Sequence, residues 1–301
     1  MLTEMEELDI LILGAGWTAT FLIPLLQDHE LHFSATTTTG RIVAGNPTIP
    51  FRFEPTEENR PAINALPRAR HVLITFPLQG AGPSKFFMEA YQASHPLRDQ
   101  SKTVKFIQLG STGIWQPGGP VAPAERGDDY PWYDRHSPYN RTLPRAVAEE
   151  ELLSLGGCVL NLSGLWGGTR DPKTWVPKVA ATKEAVRDKK SLHLIHGDDV
   201  ARAVVAVVEG GDEKWQTHGK GQRYLLTDGF VYDWWSLLAG WSETDSGEDV
   251  EPTDQQKWVY ELMVEEKVRA LPRSMESLGR CYDSREFWAS FGIAPLRARV
   301  G

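Results

Sequence analysis

Only two cysteines, Cys158 and Cys281, stand in 301 residues. That is too few for a disulfide scaffold and suits a reducing compartment. Basic residues are outnumbered, 32 against 40 acidic ones, for a net charge of −8. A chain without a basic excess is not built for nucleic acid or an anionic membrane as its main partner. No apolar run approaches the ~18 residues of a membrane-spanning helix. Metal-ligand spacing is missing: His193 and His196 are isolated, and the cysteines lie far apart. There is no Gly-x-Ser-x-Gly elbow and no Walker-type lysine. The start of the chain is acidic, where a signal peptide carries positive charge and a transit peptide carries arginine. The expectation is a cytoplasmic protein, monomeric or homodimeric, that holds no metal and acts on a small molecule.

What remains is globular in composition, with 41% hydrophobic and 24% charged residues. A chain of this length buries about three quarters of its unfolded surface and needs no staple. Eleven tryptophans are the one oddity.

Along the first half, short β-rich runs alternate with helical patterns. Residues 9–13 form a continuous apolar run, as in a parallel strand covered on both faces. Residues 17–27 read as a helix, 31–36 as a strand, 50–53 as a short strand, and 71–75 as another. A helix at 84–93 and a strand at 104–109 follow. A Gly-, Pro- and Asp-rich loop leads to a helix at 141–155 and a strand at 158–162. Beyond Gly164, helices are expected at 174–187, 199–209, 232–241, 255–269 and 284–291, a strand at 223–226, and an exposed acidic loop at 243–251. Strands separated by helices imply βαβ units. The fold class is therefore α/β: a Rossmann-like, doubly wound, mainly parallel sheet with a smaller C-terminal substrate lobe. The division expected is 1–165 for the Rossmann domain and 166–301 for a lobe interleaved with the last strands.

Gly14-Ala15-Gly16-Trp17-Thr18-Ala19 directly follows the first strand and opens the first helix. It matches Gly-x-Gly-x-x-Gly/Ala, in which Gly14 makes the tight turn and Gly16 admits a pyrophosphate. Ala19 lets helix and strand pack closely. The helix N-terminus adds its positive end. The acidic residue that would bind the ribose of NAD at the end of the second strand is absent; Ala35-Thr36-Thr37 stands there, and Arg41 follows. This favours NADP over NAD if Arg41 meets the 2′-phosphate and is not simply a solvated loop arginine. Thr37, and Phe76 and Pro77 just past residues 71–75, lie at strand carboxyl ends and are further cofactor candidates.

Gly110-Ser111-Thr112-Gly113-Ile114-Trp115 ends the fifth strand. With the glycine turn, Glu125, Leu162-Ser163-Gly164-Leu165-Trp166-Gly167-Gly168 and Ile195-His196-Gly197-Asp198-Asp199, it makes a series that resembles the extended short-chain dehydrogenase/reductases, the NAD(P)-dependent epimerase/dehydratase family. The resemblance covers about residues 9–230. It implies a nicotinamide cofactor, hydroxyls of Ser111 and Thr112 on the substrate, and Arg170 on an anionic substrate group.

The family's Tyr-x-x-x-Lys pair is replaced. Anchored on Glu149, Arg145 takes the lysine position and Arg141 the tyrosine position. Arginine stays protonated and cannot exchange the proton. Tyr133, His136 or Tyr139, before the helix, is then a candidate donor. Arg141 and Arg145, four apart, are expected to share a helical face, either as an anion clamp or as partners of Glu149 or Glu150. Ser111 and Thr112 otherwise serve as caps after the strand. Trp17, Trp115 and Trp166, each after a strand, make an aromatic-walled pocket an expectation, with Trp115 and Trp166 on the substrate side. An aspartate of Asp198-Asp199 is expected to cap the following helix.

Three functions stay open from the sequence. One is an NADP-dependent oxidoreductase or epimerase acting on a small carbonyl or alcohol compound with a non-standard proton donor. The second is a cofactor-bound sensor or regulatory protein. The third is a non-redox isomerase or cyclase reusing the fold.

Overall fold

The computed structural model describes residues 7–115, 132–241 and 251–298. Seven parallel strands form the central sheet: β1 (Leu8–Leu13), β2 (Phe33–Thr37), β3 (Ile49–Pro50), β4 (Ala69–Ile74), β5 (Lys105–Ser111), β6 (Cys158–Leu162) and, counting past two short strands, β9 (Arg223–Leu226). Their order across the sheet is β9-β6-β5-β4-β1-β2-β3, so the winding reverses between β1 and β4. Ile10–Leu13 are wholly buried because successive side chains enter opposite layers. Ile10 and Ile12 belong to one core layer with α1 (Trp17–Asp28), α4 (Gly197–Glu209) and α7 (Arg285–Phe291), while Leu11 and Leu13 belong to the other with α2 (Pro83–Ser94) and α3 (Pro144–Ser154). Apolar residues on both faces explain why these strands read as unbroken runs and not as alternation. The result is a doubly wound α/β fold of Rossmann type.

β9 comes from beyond residue 165 and pairs in register with β6, Arg223 beside Val159. A second pair, β7 (Gly164–Trp166) and β8 (Leu194–His196), lies outside the main sheet. The lobe has its own core around α5 (Trp234–Gly240) and α6 (Asp254–Glu265), with Trp235 donating to Val186 O at 2.8 Å. Asp233 caps α5 and holds the buried Arg273 at 2.7 Å, whose guanidinium lies 3.9 Å over the Trp235 ring. Several tryptophans thus build the lobe core.

Some element bounds differ from expectation. The helix expected from 141 begins at Pro144, because the residue before a proline is pushed out of the helical region; Leu143 is extended, φ −63° and ψ 131°. The helix expected over 174–187 is broken into Pro172–Trp175, Val176–Val179 and Lys183–Arg187, the last capped by the Thr182 side chain on Ala185 N. The aromatic helix expected from 232 starts at Trp234, after the short strand Tyr232–Asp233. The acidic loop 242–250 lies outside the described residues.

Of the three histidines buried among the described residues, His71, His95 and His193, two bear on stability. His71 Nδ1 lies 2.9 Å from Asp9 O, and His193 Nε2 accepts from Tyr282 N at 3.1 Å. Burial pushes them down to about 4 and about 3. Unfolded, each titrates near ~6.5, so below that pH the unfolded chain takes up protons that the folded chain refuses. Stability is therefore full above ~6.5 and falls on acidification. We expect a loss of about 2–3 kcal/mol per histidine between about pH 7.5 and 4.5. Urea unfolding at the two pH values measures it; an unchanged midpoint contradicts this burial.

Candidate functional site

The carboxyl ends of β1, β4, β5 and β6 surround a cleft of about 280 Å³ at the reversal of strand order. Open α/β sheets place ligands at this position. Its lining includes Gly16, Trp17 and Thr18 after β1, Thr75 after β4, Ser111 of β5, Ser163 after β6, Arg145 of α3, and Arg170.

The glycine turn is locked from below. Gly14 takes φ +87°, and a Cβ there would lie 2.8 Å from Thr75 Oγ1 and 3.0 Å from Phe76 Cδ1. Gly14 N donates to Thr36 Oγ1 at 3.0 Å and Ala15 N to Thr36 O at 2.6 Å, tying the turn to β2. Gly16 is different: the nearest atom to a Cβ there is Gly14 O at 3.9 Å. The fold itself does not need glycine at 16 for space. No side chain caps α1, so the first-turn N–H groups of Trp17 and Thr18 have no side-chain acceptor. Thr18 is buried, and Ala19 is wholly buried against the sheet.

On the β2 side, Arg41 donates to Ala15 O at 3.2 Å, laying its guanidinium against the turn. Thr37 is buried and bound up in structure: its hydroxyl meets Thr48 Oγ1 at 2.8 Å and accepts from Arg41 N at 3.2 Å. Phe76 packs on Gly14 and stacks with Phe53 at 5.9 Å, and Pro77 is exposed.

Beneath the cleft lies a buried carboxylate. Glu149 is 0% exposed and meets Asn161 Nδ2 at 2.8 Å and Arg223 at 3.1 Å, with Arg145 Nε 4.0 Å away. Asn161 also donates to Ser111 O at 3.1 Å. Burial holds the Glu149 carboxyl above its usual range, and Arg223 opposes that shift. Gly110 must be glycine because a Cβ would fall 2.6 Å from Glu149 Oε1. Asn161 and Arg223 escaped the sequence reading. The only signal was a polar residue inside the apolar run Cys158-Val-Leu-Asn-Leu162 and a charge opening the next strand.

The structure brings together Gly16, Trp17, Thr18, Ser111, Arg145 and Arg170, and leaves others outside this cleft. Thr112 is buried, its carbonyl accepting from Tyr282 OH at 3.0 Å. Ser111 Oγ does accept from Gly113 N at 3.1 Å, the capping geometry, while still lining the cleft. Tyr139 donates to Glu150, and burial and then that carboxylate push its phenol up to about 12. Tyr133 packs edge-on against Tyr282 at 6.3 Å, and burial raises its phenol as well. His136 pairs with Glu286 at 3.2 Å on the surface. Arg141 precedes the helix, is exposed, and lies 5.7 Å over the Tyr139 ring. It shares no helical face with Arg145, so the two-arginine clamp is not formed.

The aromatic wall is corrected in part. Trp115 is buried in the core, donating to Ser137 O at 3.0 Å. Trp166 lies edge-on to His196 at 4.6 Å. Trp17 alone of the three lines the cleft, donating to Gly167 O at 2.9 Å with Arg170 4.6 Å over its ring. His196, not an aspartate, caps α4 by accepting from Asp198 N at 3.1 Å. Asp199 is wholly buried and instead accepts the backbone N–H groups of Leu296 and Arg297 at 2.8 and 2.9 Å. Glu125, Asp128, Asp129 and Tyr130 lie outside the described residues.

No protein-family model and no curated protein matches the sequence. Solved structures do match over nearly the whole chain. A functionally unknown conserved protein from Silicibacter pomeroyi aligns with TM-score 0.60 and 16% identity, over 96% of this chain and 94% of the other. UDP-glucose 4-epimerase of Thermus thermophilus, in complex with NAD, aligns with TM-score 0.55 and 15% identity, over 96% and 94%. RMD from Pseudomonas aeruginosa, complexed with NADPH, aligns with TM-score 0.55 and 14% identity, over 96% and 95%. This chain has the epimerase fold. Among its described residues, no helix is long and apolar enough to cross a membrane.

The two glycines separate fold from ligand. Gly14→Ala is expected to cost at least about 1–2 kcal/mol, from the positive φ and the Thr75 contact. Gly16→Ala is expected to cost less than about 1 kcal/mol. Denaturant unfolding of both variants decides this, and the reverse order contradicts the geometry.

Proposed function

We propose that the chain is an NADP-dependent oxidoreductase or epimerase of the extended short-chain type, acting on a small carbonyl or alcohol compound. The observation that carries this is the uncapped N-terminus of α1, opening beside Gly16 onto a cleft at the strand reversal. Such a terminus, with space where a Cβ would stand, suits a pyrophosphate. Solved neighbours of this fold complexed with NAD and NADPH support a nicotinamide cofactor. The preference for NADP rests on β2, which ends in Thr37 with no carboxylate, and on Arg41 held against the turn.

When bound, the nicotinamide supplies or accepts a hydride. The chain's own part is to hold and polarise. The N–H groups of Trp17 and Thr18 take the pyrophosphate, and Arg41 takes the 2′-phosphate. Ser111 Oγ, which accepts from Gly113 N, keeps its proton free to donate to a substrate oxygen. Arg145 sets a fixed positive charge beside it, favouring charge that develops on that oxygen. Among the described residues lining the cleft there is no Asp, Glu, His, Cys, Lys or Tyr. None of these described residues is therefore assigned as the proton donor. This same observation favours a second reading, in which the protein binds NADP as a sensor and turns nothing over.

NADPH is expected to bind at least about tenfold more tightly than NADH, and Arg41→Ala to remove that difference by weakening NADPH alone. Titration of tryptophan fluorescence reads both. Equal affinity for the two cofactors contradicts the NADP preference, and binding of neither contradicts the proposal. Carbonyl-dependent loss of NADPH absorbance supports the enzyme; tight binding without turnover over a broad carbonyl panel supports the sensor.

A further inference from the structure

Three other candidates are weaker. A larger cavity of about 470 Å³ lies at the opposite ends of the strands, but its charges are spent on each other, as in Lys102 and Lys105 on Asp212 at 2.7 Å. The groove beside Leu296 and Arg297 is occupied with anchoring the tail on Asp199. The exposed Tyr260 and Val264 on α6 have nothing to name their partner. The cleft itself carries more.

We propose that Arg145 and Ser163 form an oxyanion subsite beside Ser111, which takes a carboxylate or phosphate borne by the substrate. This deepens the proposed function and rests on it for the identity of the bound molecule as substrate. Ser163 is 8% exposed, and its Oγ has no hydrogen-bond partner among the described residues. Its main chain is fixed, with N donating to Leu226 O at 3.2 Å, so the hydroxyl has not been left over by disorder. A buried hydroxyl without a partner is costly, and a ligand in the cleft that Ser163 lines would supply the partner.

Arg145 lines the same cleft and makes only a loose ion pair, with Glu149. Its Nε is buried with no hydrogen bond, and the nearest carboxylate oxygen, Glu149 Oε1, is 4.0 Å away. The other oxygen of Glu149 is already taken by Asn161 at 2.8 Å and Arg223 at 3.1 Å. The ion pair with Glu149 thus leaves Arg145 Nε without a hydrogen bond. Ser111 adds a third donor, its oxygen having accepted from Gly113 N. Hydroxyl donors and a guanidinium, with no carboxylate side chain among the described lining residues, call for an acceptor of negative charge. The phosphates of the cofactor have their own partners in the α1 terminus and Arg41.

The test is calorimetric titration of the full chain with oxalate, inorganic phosphate and neutral oxamide, each with and without saturating NADPH. The expected result is an oxyanion bound at least about tenfold more tightly than oxamide with NADPH present. Ser163→Ala is expected to weaken that binding about tenfold and Arg145→Gln more, with NADPH affinity unchanged in Ser163→Ala. Arg145→Lys keeps the charge but loses the two-point grip, so it falls between. Tighter oxalate assigns a carboxylate substrate, and tighter phosphate a phosphorylated one. Oxamide binding as tightly as the anions overturns the proposal, as do variants that bind them like the parent. NADPH binding with no anion binding overturns this subsite alone. Anion binding lost in the variants, on a chain that ignores NADPH, overturns the cofactor reading alone.

Discussion

The site depends on one carboxylate removed from water. Glu149 sits on α3 and reaches Asn161 on β6 and Arg223 on β9, and through Asn161 it fixes the carbonyl of Ser111 on β5. An isolated carboxylate at that depth would neutralise or unfold its surroundings; paired and hydrogen-bonded, it specifies one arrangement. Gly110 gives way to it, having no Cβ to meet Glu149. Arg223, in turn, lies 4.5 Å over Tyr139 and meets Glu150 at 3.1 Å, so the aromatic segment before α3 is drawn into the same network. The cleft's polar groups are therefore set by a cluster none of whose buried members lines it.

This explains what the sequence made legible. The β1 run, the glycine turn and the strands of the first half are local patterns, and each stands within two residues of its reading except the strand expected at 50–53, which is Ile49–Pro50. The roles of Gly14 and Ala19 follow from backbone geometry that any such turn requires. The start of α3 was legible only through Pro144, and passing over it put Arg141 on a helix where it does not lie. Tyr133, Tyr139 and Trp115 read as site residues because they follow strands or precede the helix. Their fate was decided by partners distant in sequence: Tyr282, Glu150 with Arg223, and the Ser137 carbonyl. The pairing of Asn161 and Arg223 and the unpaired state of Ser163 were not legible for the same reason, since nothing in a linear pattern tells a paired buried polar group from an unpaired one.

The described lining of the cleft supplies fixed charge and hydroxyls. Arginine and serine do not change ionisation near neutral pH, so the described cleft holds, orients and polarises. Arg145 stands beside Glu149 with a permanent charge, and the nearby phenols of Tyr133 and Tyr139 are engaged in packing and in a bond to Glu150.

The central claim is that the α1 terminus at Gly16 is a nucleotide site. Amide hydrogen exchange of the full chain, with and without NADPH, tests it most directly. The account predicts strong protection of the amides of Gly16, Trp17 and Thr18 on adding NADPH, with the buried β1 amides little changed. Exchange at 16–18 unaffected by saturating NADPH would contradict it.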